Sequence, residues 1–398
     1  MLAALAEGTS KFENFSTAAD CASTVACMRA LGSEATLEGG TLVMQGRGRA
    51  LSQPKHPLDC GNSGSTMRML SGILAGQDFS SELVGDASLS RRPMARIIEP
   101  LRQMGAEVSS GQNGRPPLRI HGGGLRGLTY LMPVASAQLK TSLLFAGLFA
   151  EGETVIEEPV RTRDHGEFAL RAFGAEVDVH GTKIRMAGKQ SLHSIEAYVP
   201  GDISSAAFFL CAAMLFEDSN LVLDNVLLNP TRAVLLDVLT AMGARIQFLR
   251  VEEHHGELVG TIRVQRTGLR GSSISGATTV ALIDELPVLA AIAPYTQGGI
   301  EISGAAELRV KESDRIASIV TNLRAMGAEV EERPDGVRVP GGQRLHGAEL
   351  DSAGDHRIAM AFSIAALRAE GDTVIHGSEA AAVSYPTFFQ ALEQLLSY

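Results

Sequence analysis

The residues best suited to chemistry lie where buried apolar segments begin. Residues 61–68 read Gly-Asn-Ser-Gly-Ser-Thr-Met-Arg, and four later segments open with similar small polar residues. These are Ala-Ser-Ala-Gln-Leu-Lys at 135–140, Gly-Asp-Ile-Ser-Ser at 201–205, Ile-Asp-Glu-Leu-Pro at 283–287 and Gly-Asp-His-Arg at 354–357. Ser, Asp and Asn are favoured N-caps, and the free N–H groups and dipole of a helix start favour an anion. With the cations Arg68, Lys140 and Arg357 added, these starts predict anion binding, and capping alone is the simpler alternative.

A second group of residues mixes cations with carboxylates. Residues 311–315 read Lys-Glu-Ser-Asp-Arg and lead into a predicted helix. Lys311 and Arg315 are four residues apart, so we expect them to share one helix face. Glu312 lies between them, and Asp284 lies about one helix earlier. Two carboxylates beside cations are what proton addition and removal need, whereas a solvated charged helix start is the alternative.

Two further motifs have a weaker link to chemistry. Arg91 and Arg92 lie just before a predicted helix, where adjacent arginines suit a carboxylate or phosphate. Surface ion pairs would explain them equally well. His165 and His356 have no partners at metal-ligand spacing, so the sequence predicts no metal and no other cofactor. No Ser-His-Asp pattern on a nucleophile turn is present in the sequence either.

The elements that must position these residues repeat along the chain. Helix-like apolar runs end in a short acidic or glycine turn six times, and five second helices end in a further glycine turn. The glycines of those second turns are Gly32, Gly105, Gly174, Gly243 and Gly327, at intervals of 73, 69, 69 and 84 residues. Such a period indicates repeated supersecondary units. Six units predict two lobes of three units each, at residues 1–200 and 201–398.

Alternating helix and strand patterns predict an α/β fold. Four segments are apolar on nearly every face and are therefore predicted to be buried helices, at residues 139–149, 206–215, 287–293 and 358–367. Short strands, such as those at 154–156 and 373–375, are predicted to form outer sheets. The connection between the lobes is short, which favours hinge closure over loose tethering.

The first unit differs from the fourth at its beginning. When the two are aligned on their acidic turns, Met1 falls about halfway along a helix. The sequence therefore predicts that the start of this helix and the strand before it are missing. We expect the remaining helix to be too short to be stable alone, and the strand edge beside it to be unpaired.

Composition limits the possible partners. The chain has 398 residues, 45% of them hydrophobic, which is ample for two domains. Its net charge of −10 argues against a nucleic-acid surface, although a few arginines can still bind a small anion. The cysteines at positions 21, 27, 60 and 211 have no disulfide or metal spacing and are predicted to be buried. No apolar run approaches a membrane span, so we expect a cytoplasmic monomer without a nucleic-acid or membrane partner.

Taken together, these motifs resemble the 5-enolpyruvylshikimate-3-phosphate synthase family (3-phosphoshikimate 1-carboxyvinyltransferases). The resemblance extends from Met1 to the end of the chain. Its motifs are, in order, Gly-Asn-Ser-Gly-Ser-Thr-Met-Arg, Arg-Arg-Pro-Met, Ser-Ala-Gln-Leu-Lys, Thr-Arg-Asp-His, Pro-Gly-Asp-Ile-Ser-Ser, Asp-Glu-Leu-Pro, Leu-Arg-Val-Lys-Glu-Ser-Asp-Arg, Gly-Asp-His-Arg and Ser-Tyr-Pro-Thr-Phe-Phe. In this order they are highly specific. The resemblance implies a two-lobed inside-out α/β barrel with three βαβαββ-like units in each lobe.

The resemblance also implies a reaction. The enolpyruvyl group of phosphoenolpyruvate would be transferred to the 5-hydroxyl of shikimate 3-phosphate, releasing phosphate, in the shikimate pathway to chorismate and the aromatic amino acids. No cofactor is implied. The first lobe would be the shikimate 3-phosphate side, and the second would complete the phosphoenolpyruvate site.

The implied site residues fall into four sets. The residues implied to bind phosphoenolpyruvate are Gly64, Arg92, Gln138, Arg315 and Arg357. Those implied to bind shikimate 3-phosphate are Ser136, Ala137, Gln138, Thr162, Asp284 and Lys311. Supporting residues would be Asn62, Arg68 and His356. By the same resemblance, Asp284 would accept the hydroxyl proton, and Glu312 with Lys311 would help protonate the enol carbon.

The chain departs from the family pattern in three places. Family members begin with a strand and a Lys-Ser-x-Ser-x-Arg helix start, which has no counterpart in this sequence. Val383 stands where some relatives have Lys, and Thr162 where Ser is common. A truncated, non-catalytic anion-binding remnant is therefore one alternative. UDP-N-acetylglucosamine enolpyruvyl transferase is a second, but it needs a reactive Cys that residues 85–91 do not contain.

Overall fold

The computed structural model describes residues 1–396 and divides the chain into two compact units. The first unit is Met1–Val199, and the second begins at Pro200. Each unit has its own apolar core, and its helices cover the apolar faces of short sheets.

The first unit contains six α-helices and twelve strands among its residues. The helices are α1 (Leu2–Leu5), α2 (Ala19–Ala30), α3 (Gly64–Ala75), α4 (Ala95–Gln103), α5 (Ala137–Gly147) and α6 (His165–Ala172). The strands are β1 (Thr9–Glu13), β2 (Ala35–Glu38), β3 (Thr41–Gln45), β4 (Leu58–Asp59), β5 (Ser80–Val84), β6 (Glu107–Ser110), β7 (Leu118–His121), β8 (Thr129–Leu131), β9 (Glu153–Glu157), β10 (Asp178–His180), β11 (Lys183–Ala187) and β12 (Glu196–Tyr198). Single 3₁₀ turns lie at Leu89–Arg91 and Gln112–Gly114.

The second unit has the same mixture of elements over its described residues. The helices are α7 (Ile203–Leu215), α8 (Val234–Met242), α9 (Gly276–Ala281), α10 (Leu286–Ile292), α11 (Arg315–Ala325), α12 (His356–Ala366) and α13 (Phe388–Leu396). The strands are β13 (Asn220–Leu227), β14 (Ala244–His254), β15 (Glu257–Arg266), β16 (Arg270–Ile274), β17 (Gln297–Ile302), β18 (Glu331–Arg333), β19 (Gly336–Val339), β20 (Glu349–Asp351) and β21 (Val374–His376). Short 3₁₀ helices lie at Ala293–Tyr295, Ala306–Val310 and Ser378–Val383.

The sheets show the repeat directly. Three of them have the strand orders β4-β5-β7-β6, β8-β9-β11-β10 and β16-β17-β19-β18. In each, the first two strands are parallel and the last two form an antiparallel hairpin. Parallel neighbours need a crossover, and α3 and α5 provide it in the first two of these sheets. A short loop therefore connects the end of a strand to the start of each crossover helix.

Strand β1, which follows α1, has a partner strand on both edges. The first sheet has the order β12-β1-β3-β2, and β12 pairs in parallel with β1, with Lys11 opposite Glu196. The last strand of the first unit thus occupies the position that the opening strand has in the other sheets. Residues more than 180 apart in sequence form this pair, so no local pattern could predict it.

The repeated glycines have a common conformation. All five have positive φ, between 87° and 112°, the left-handed region that favours glycine at a helix C-terminus. The longest interval, 84 residues, contains the hairpin of β14 and β15, whose strands have 11 and 10 residues. The other hairpin strands have three to five residues, which explains why this one interval departs from the period.

The four predicted buried helices are present as α5, α7, α10 and α12, and each begins slightly earlier than predicted. From Leu139 to Gly147 every residue of α5 is buried. At Gly72 in α3 an added Cβ would lie 2.0 Å from the carbonyl oxygen of Ser142 in α5, so only glycine permits this helix contact. None of the helices described within residues 1–396 is both long and apolar enough to cross a membrane.

Candidate active site

Four of the five predicted helix starts are capped by the expected side chain. Ser63 accepts a hydrogen bond from Thr66 N–H at 3.2 Å, and Ser136 accepts one from Leu139 N–H at 3.3 Å. In the second unit, Asp202 accepts from the N–H groups of Ser204 and Ser205, and Asp355 accepts from Arg357 N–H at 2.9 Å. These bonds fix where α3, α5, α7 and α12 begin.

The fifth predicted cap is wrong. Helix α10 begins at Leu286 after Glu285, without a side-chain cap, and Pro287 lies in its first turn. Proline lacks an N–H group, so one of the donors that a cap would satisfy is absent. The Asp284 carboxylate is turned to cations instead: its Oδ1 lies 3.4 Å from Arg315 Nη1 and 3.5 Å from Lys311 Nζ.

Two guanidinium groups converge at the start of α3. An added Cβ at Gly64 would lie 3.0 Å from Arg68 Nη1 and 3.2 Å from Arg92 Nη1. Arg92 is 6% exposed and donates to Asn62 Oδ1 at 2.6 Å, and Asn62 in turn donates to Asp86. The absent side chain at Gly64 thus leaves space beside two cations and a helix N-terminus, which is a favourable place for an anion.

Gln138 connects this region to the start of α5. It accepts a hydrogen bond from Arg68 Nη1 at 2.7 Å and donates one to Ser65 Oγ at 2.7 Å. Ser136 and Ala137, the two predicted residues before it, are half-buried at the same helix start. The structure therefore brings Gly64, Arg68 and Gln138 together within the first unit.

The predicted anion-binding role of Lys140 is wrong. Its side chain is completely buried, and its ammonium lies 3.1 Å from Glu158 Oε2 and 2.7 Å from Glu167 Oε1. Lys140 is one turn after the cap of α5, so its side chain points into the core while the helix start stays accessible. Thr162, a predicted ligand residue, donates its hydroxyl hydrogen to Glu158.

The second unit places four of the predicted residues around Asp284. Besides Lys311 and Arg315, the Nε atom of Arg357 lies 3.9 Å from Asp284 Oδ1. Arg357 Nη1 also donates to the Asp284 carbonyl oxygen at 3.0 Å. Three cations around one carboxylate stabilise its negative charge. Glu312 contacts one of these three cations, because its Oε2 lies 2.6 Å from Arg315 Nη2.

Arg315 is the centre of this cluster. It is 1% exposed and contacts three carboxylates, those of Asp284, Glu312 and Asp355. Burial would lower the pKa of Arg315, but Asp355 and Glu312 raise it above its usual range. Burial would likewise raise the pKa of Asp355, but Arg315 offsets this and lowers it. Arg315 and Asp355 are therefore held in their charged forms at neutral pH.

The predicted shared helix face of Lys311 and Arg315 is wrong. Helix α11 begins at Arg315, and Lys311 ends the preceding 3₁₀ helix in an extended conformation. Asp314 caps α11 by accepting from Ala317 N–H. The two cations still meet, because Lys311 reaches Asp284 from the segment before α11 and Arg315 reaches it from the first residue of α11.

His356 is the first residue of α12 and is 6% exposed. Burial, with a further contribution from Arg357, lowers its pKa to about 4. It is therefore neutral at neutral pH and does not add a positive charge to the cluster.

Several residues of the site were missed by sequence reasoning. Arg232 is 7% exposed, lies 2.7 Å from Asp202 Oδ1 and also donates to Ser204, which donates to Glu285. Desolvation by the surrounding protein would raise the pKa of Asp202, but the charges of Arg232 and Arg357 outweigh this and lower it to about 2. Arg232 lies 30 residues from Asp202 in sequence, and no spacing pattern relates them.

The four cysteines differ in burial. Cys27, Cys60 and Cys211 are buried as predicted, whereas Cys21 is only partly buried. In the part of the chain that the structure describes, no three His, Cys, Asp or Glu side chains are grouped as a metal site. A cavity of about 680 Å³ lies in the first unit, but its lining contains none of the predicted site residues.

The fold agrees with that of solved EPSP synthases. A 2.37 Å structure of EPSP synthase from Acinetobacter baumannii matches with a TM-score of 0.87 and 41% identity, over 99% of this chain and 91% of that one. A second structure of EPSP synthase from this organism matches with a TM-score of 0.86 and 40% identity, over the same shares of both chains. These matches confirm the predicted fold class, an inside-out α/β fold of the enolpyruvyl transferase type.

Sequence comparisons identify the family. The model of the family EPSP synthase (3-phosphoshikimate 1-carboxyvinyltransferase) matches residues 1–392. The 3-phosphoshikimate 1-carboxyvinyltransferase of Koribacter versatilis is 61% identical over 100% of this chain and 93% of its own length. That of Solibacter usitatus is 54% identical over 99% and 93%. The chain therefore belongs to the EPSP synthase family, and the predicted function, enolpyruvyl transfer in the shikimate pathway, is confirmed.

Proposed function

We propose that this chain transfers the enolpyruvyl group of phosphoenolpyruvate to the 5-hydroxyl of shikimate 3-phosphate through the residues described above. The observation that best supports these assignments is Asp284, with three cations within 3.9 Å of its carboxylate, beside Glu312. A carboxylate held this way can accept a proton while the surrounding cations stabilise charge that develops on a reacting oxygen.

Phosphoenolpyruvate is an anion with a phosphate and a carboxylate. In the first unit, the space at Gly64 beside Arg68 and Arg92 suits one of these groups. In the second unit, Arg357 is the better candidate, since its side chain is 14% exposed whereas that of Arg315 is 1% exposed. Arg315 contacts three carboxylates already, so we assign it a positioning role in addition to its predicted contact with phosphoenolpyruvate.

Shikimate 3-phosphate has a phosphate and ring hydroxyls. Ser136, Ala137, Gln138 and Thr162 of the first unit are assigned to it, together with Asp284 and Lys311 of the second. The start of α5 offers backbone N–H groups and the positive end of a helix dipole, which favour a phosphate. Gln138 also contacts Arg68, and this supports the assignment of Gln138 to both substrates.

The proton steps follow from the two carboxyl groups. Asp284 takes the proton of the 5-hydroxyl as its oxygen bonds to C2 of phosphoenolpyruvate, and Glu312 with Lys311 delivers a proton to C3. When the phosphate leaves, Glu312 takes one proton back from C3, Asp284 gives its proton to the departing phosphate, and the enol ether forms. The intermediate has more anionic oxygens in one place than either substrate, so fixed cations stabilise it more strongly than the ground state.

The assay is phosphate release from phosphoenolpyruvate, with the organic product identified by mass spectrometry. We expect release only when shikimate 3-phosphate is present and none with UDP-N-acetylglucosamine in its place. Tight binding of both substrates without phosphate release would support the non-catalytic alternative and overturn the proposal. A monomer and a cytoplasmic location remain predictions, to be checked by light scattering and by fractionation of the native host.

A further inference from the structure

The buried Lys140 joins three segments of the first unit. It lies in α5, whereas Glu158 follows directly after β9 and Glu167 lies in the first turn of α6. All three side chains are at most 2% exposed. Buried charges are costly to desolvate and are retained only where partners satisfy them, so these three segments are fixed relative to one another by a single ammonium.

The two carboxyl groups around Lys140 have different surroundings. Glu158 contacts Lys140 through Oε2, and its Oε1 accepts from both the N–H, at 3.3 Å, and the hydroxyl of Thr162. Glu167 contacts Lys140 through Oε1, whereas its Oε2 is buried without a hydrogen-bond partner within residues 1–396. Burial raises the pKa of Glu167, and Lys140 offsets only part of this. Glu158 therefore links the ammonium to Thr162, and Glu167 contacts the ammonium from α6.

We propose that Glu158 is a positioning residue for shikimate 3-phosphate, and this rests on the function proposed above. The first-unit residues assigned to this substrate lie in two separate segments, the start of α5 and the loop containing Thr162. The hydrogen bonds from Thr162 to Glu158 and from Lys140 to Glu158 connect these segments through buried groups. Small displacements of binding groups weaken productive binding, so a fixed distance between the segments matters. Glu158 acts through Thr162 and does not itself contact the substrate.

The substitution Glu158→Gln tests this link. Lys140 and Thr162 each donate to a different oxygen of Glu158. Glutamine replaces one of these oxygens by an NH2 donor, so one of the two contacts loses its acceptor. Lys140 keeps its contact with Glu167, and the chain is therefore expected to fold.

We expect the KM for shikimate 3-phosphate to rise about tenfold, the scale of one lost hydrogen bond to a charged group. The KM for phosphoenolpyruvate and kcat should change less than about twofold, because Thr162 is assigned to neither. Gln138, which is assigned to both substrates, is held separately by Arg68 and Ser65.

Glu167→Gln is the matched control, since Glu167 contacts the same Lys140 ammonium but does not bind Thr162. It should leave the KM for shikimate 3-phosphate unchanged even where it alters the melting temperature. Thr162→Val should raise this KM by a similar factor as Glu158→Gln, and the double variant should add little to either single change. Thr162→Ser keeps the hydroxyl and should retain the parental KM.

Calorimetric titration of the parental whole chain with shikimate 3-phosphate comes first. Absence of binding there would contradict the proposed function itself, independently of any variant. With binding established, equal effects of Glu158→Gln and Glu167→Gln, or equal losses for both substrates, would assign Glu158 a purely structural role and overturn the proposal. If Glu158→Gln does not fold, Thr162→Val decides alone, and an unchanged affinity for shikimate 3-phosphate would overturn it.

Discussion

Lys140 in the first unit and Arg315 in the second are both fully buried cations surrounded by carboxylates. Lys140 contacts two, Glu158 and Glu167, and Arg315 contacts three, Asp284, Glu312 and Asp355. In both clusters the partners come from separate segments of the chain. One buried cation in each unit thus brings together acidic groups from different segments.

The difference lies in what the carboxylates do. The planar guanidinium of Arg315 has five N–H donors and can hold several carboxylates in fixed directions, whereas the ammonium of Lys140 is a compact charge with three donors. Two of the carboxylates around Arg315 are assigned to proton transfer, and those around Lys140 are not. A buried cation with its carboxylates therefore stabilises the fold and positions a loop in the first unit. In the second unit the same arrangement holds the groups assigned to proton transfer.

The largest expected effect comes from Asp284→Asn in the second cluster. The amide cannot accept a proton, so we expect kcat to fall by about 10²–10⁴, the usual contribution of a positioned acid or base. Binding of shikimate 3-phosphate should weaken much less, and calorimetry separates the two effects. Asp314→Asn, which changes the nearby cap of α11, is the control and should keep most of the activity. Equal losses in the two variants would remove the special role of Asp284.

Replacing each buried cation by methionine tests the comparison on stability. Lys140→Met and Arg315→Met each remove a buried cation from its carboxylates, which costs about 3–5 kcal/mol of unfolding free energy. Arg315→Met should lie at the upper end because Arg315 contacts three carboxylates and Lys140 contacts two. Urea unfolding gives the values, and Lys11→Met, which removes an exposed ion pair with Glu13, should not shift the midpoint measurably. A loss below about 1 kcal/mol for either variant would show that its cluster relaxes or takes up protons.

Sequence reasoning found the helix starts better than the clusters. The repeated glycine turns and the caps at Ser63, Ser136 and Asp355 follow from local rules, because a left-handed turn and an N-cap each depend on a few adjacent residues. The side-chain direction of Lys140 does not follow from local rules, since its burial depends on which helices pack around α5. Glu158 and Arg232 were missed for the same reason, because their partners lie in other segments. The pairing of β12 with β1 is likewise a long-range contact that no periodicity signals.

A smaller effect is expected for Arg357→Ala, which removes the more exposed guanidinium at Asp284. Loss of a charge-assisted contact to an anion is worth about 1.5–3 kcal/mol, so phosphoenolpyruvate binding should weaken by roughly tenfold to a hundredfold. Shikimate 3-phosphate binding should change much less. Competition experiments with each substrate measure the two affinities. If both fall equally, Arg357 supports the whole cluster in the way Arg315 does, and its assignment to phosphoenolpyruvate is wrong.

The smallest effect concerns pH. The contributions of the two clusters to stability should change with pH in opposite directions. Burial lowers the pKa of His356 to about 4, below the ordinary value of 6.5. The unfolded chain therefore takes up a proton on this group as pH falls through 6.5, and the folded chain does so only near pH 4. The stabilisation is complete above pH 6.5 and is lost as pH falls from 6.5 to 4. At pH 5 the loss in unfolding free energy amounts to about 2 kcal/mol. The pKa of neighbouring Asp355 is lowered from 3.8, so Asp355 acts below this range.

Around Lys140, the raised pKa of Glu167 has the opposite sign. Its stabilisation is present at low pH and is lost as pH rises from about 4.5 through the raised pKa. We therefore expect His356→Gln to flatten the loss of stability between pH 7 and pH 5 by about 2 kcal/mol, measured by urea unfolding at each pH. His376→Gln, at an exposed position, is the control and should follow the parental curve. Parallel curves for His356→Gln and the parental chain would show that His356 titrates normally, and that the carboxylates Asp355 and Glu312 beside it compensate for its burial.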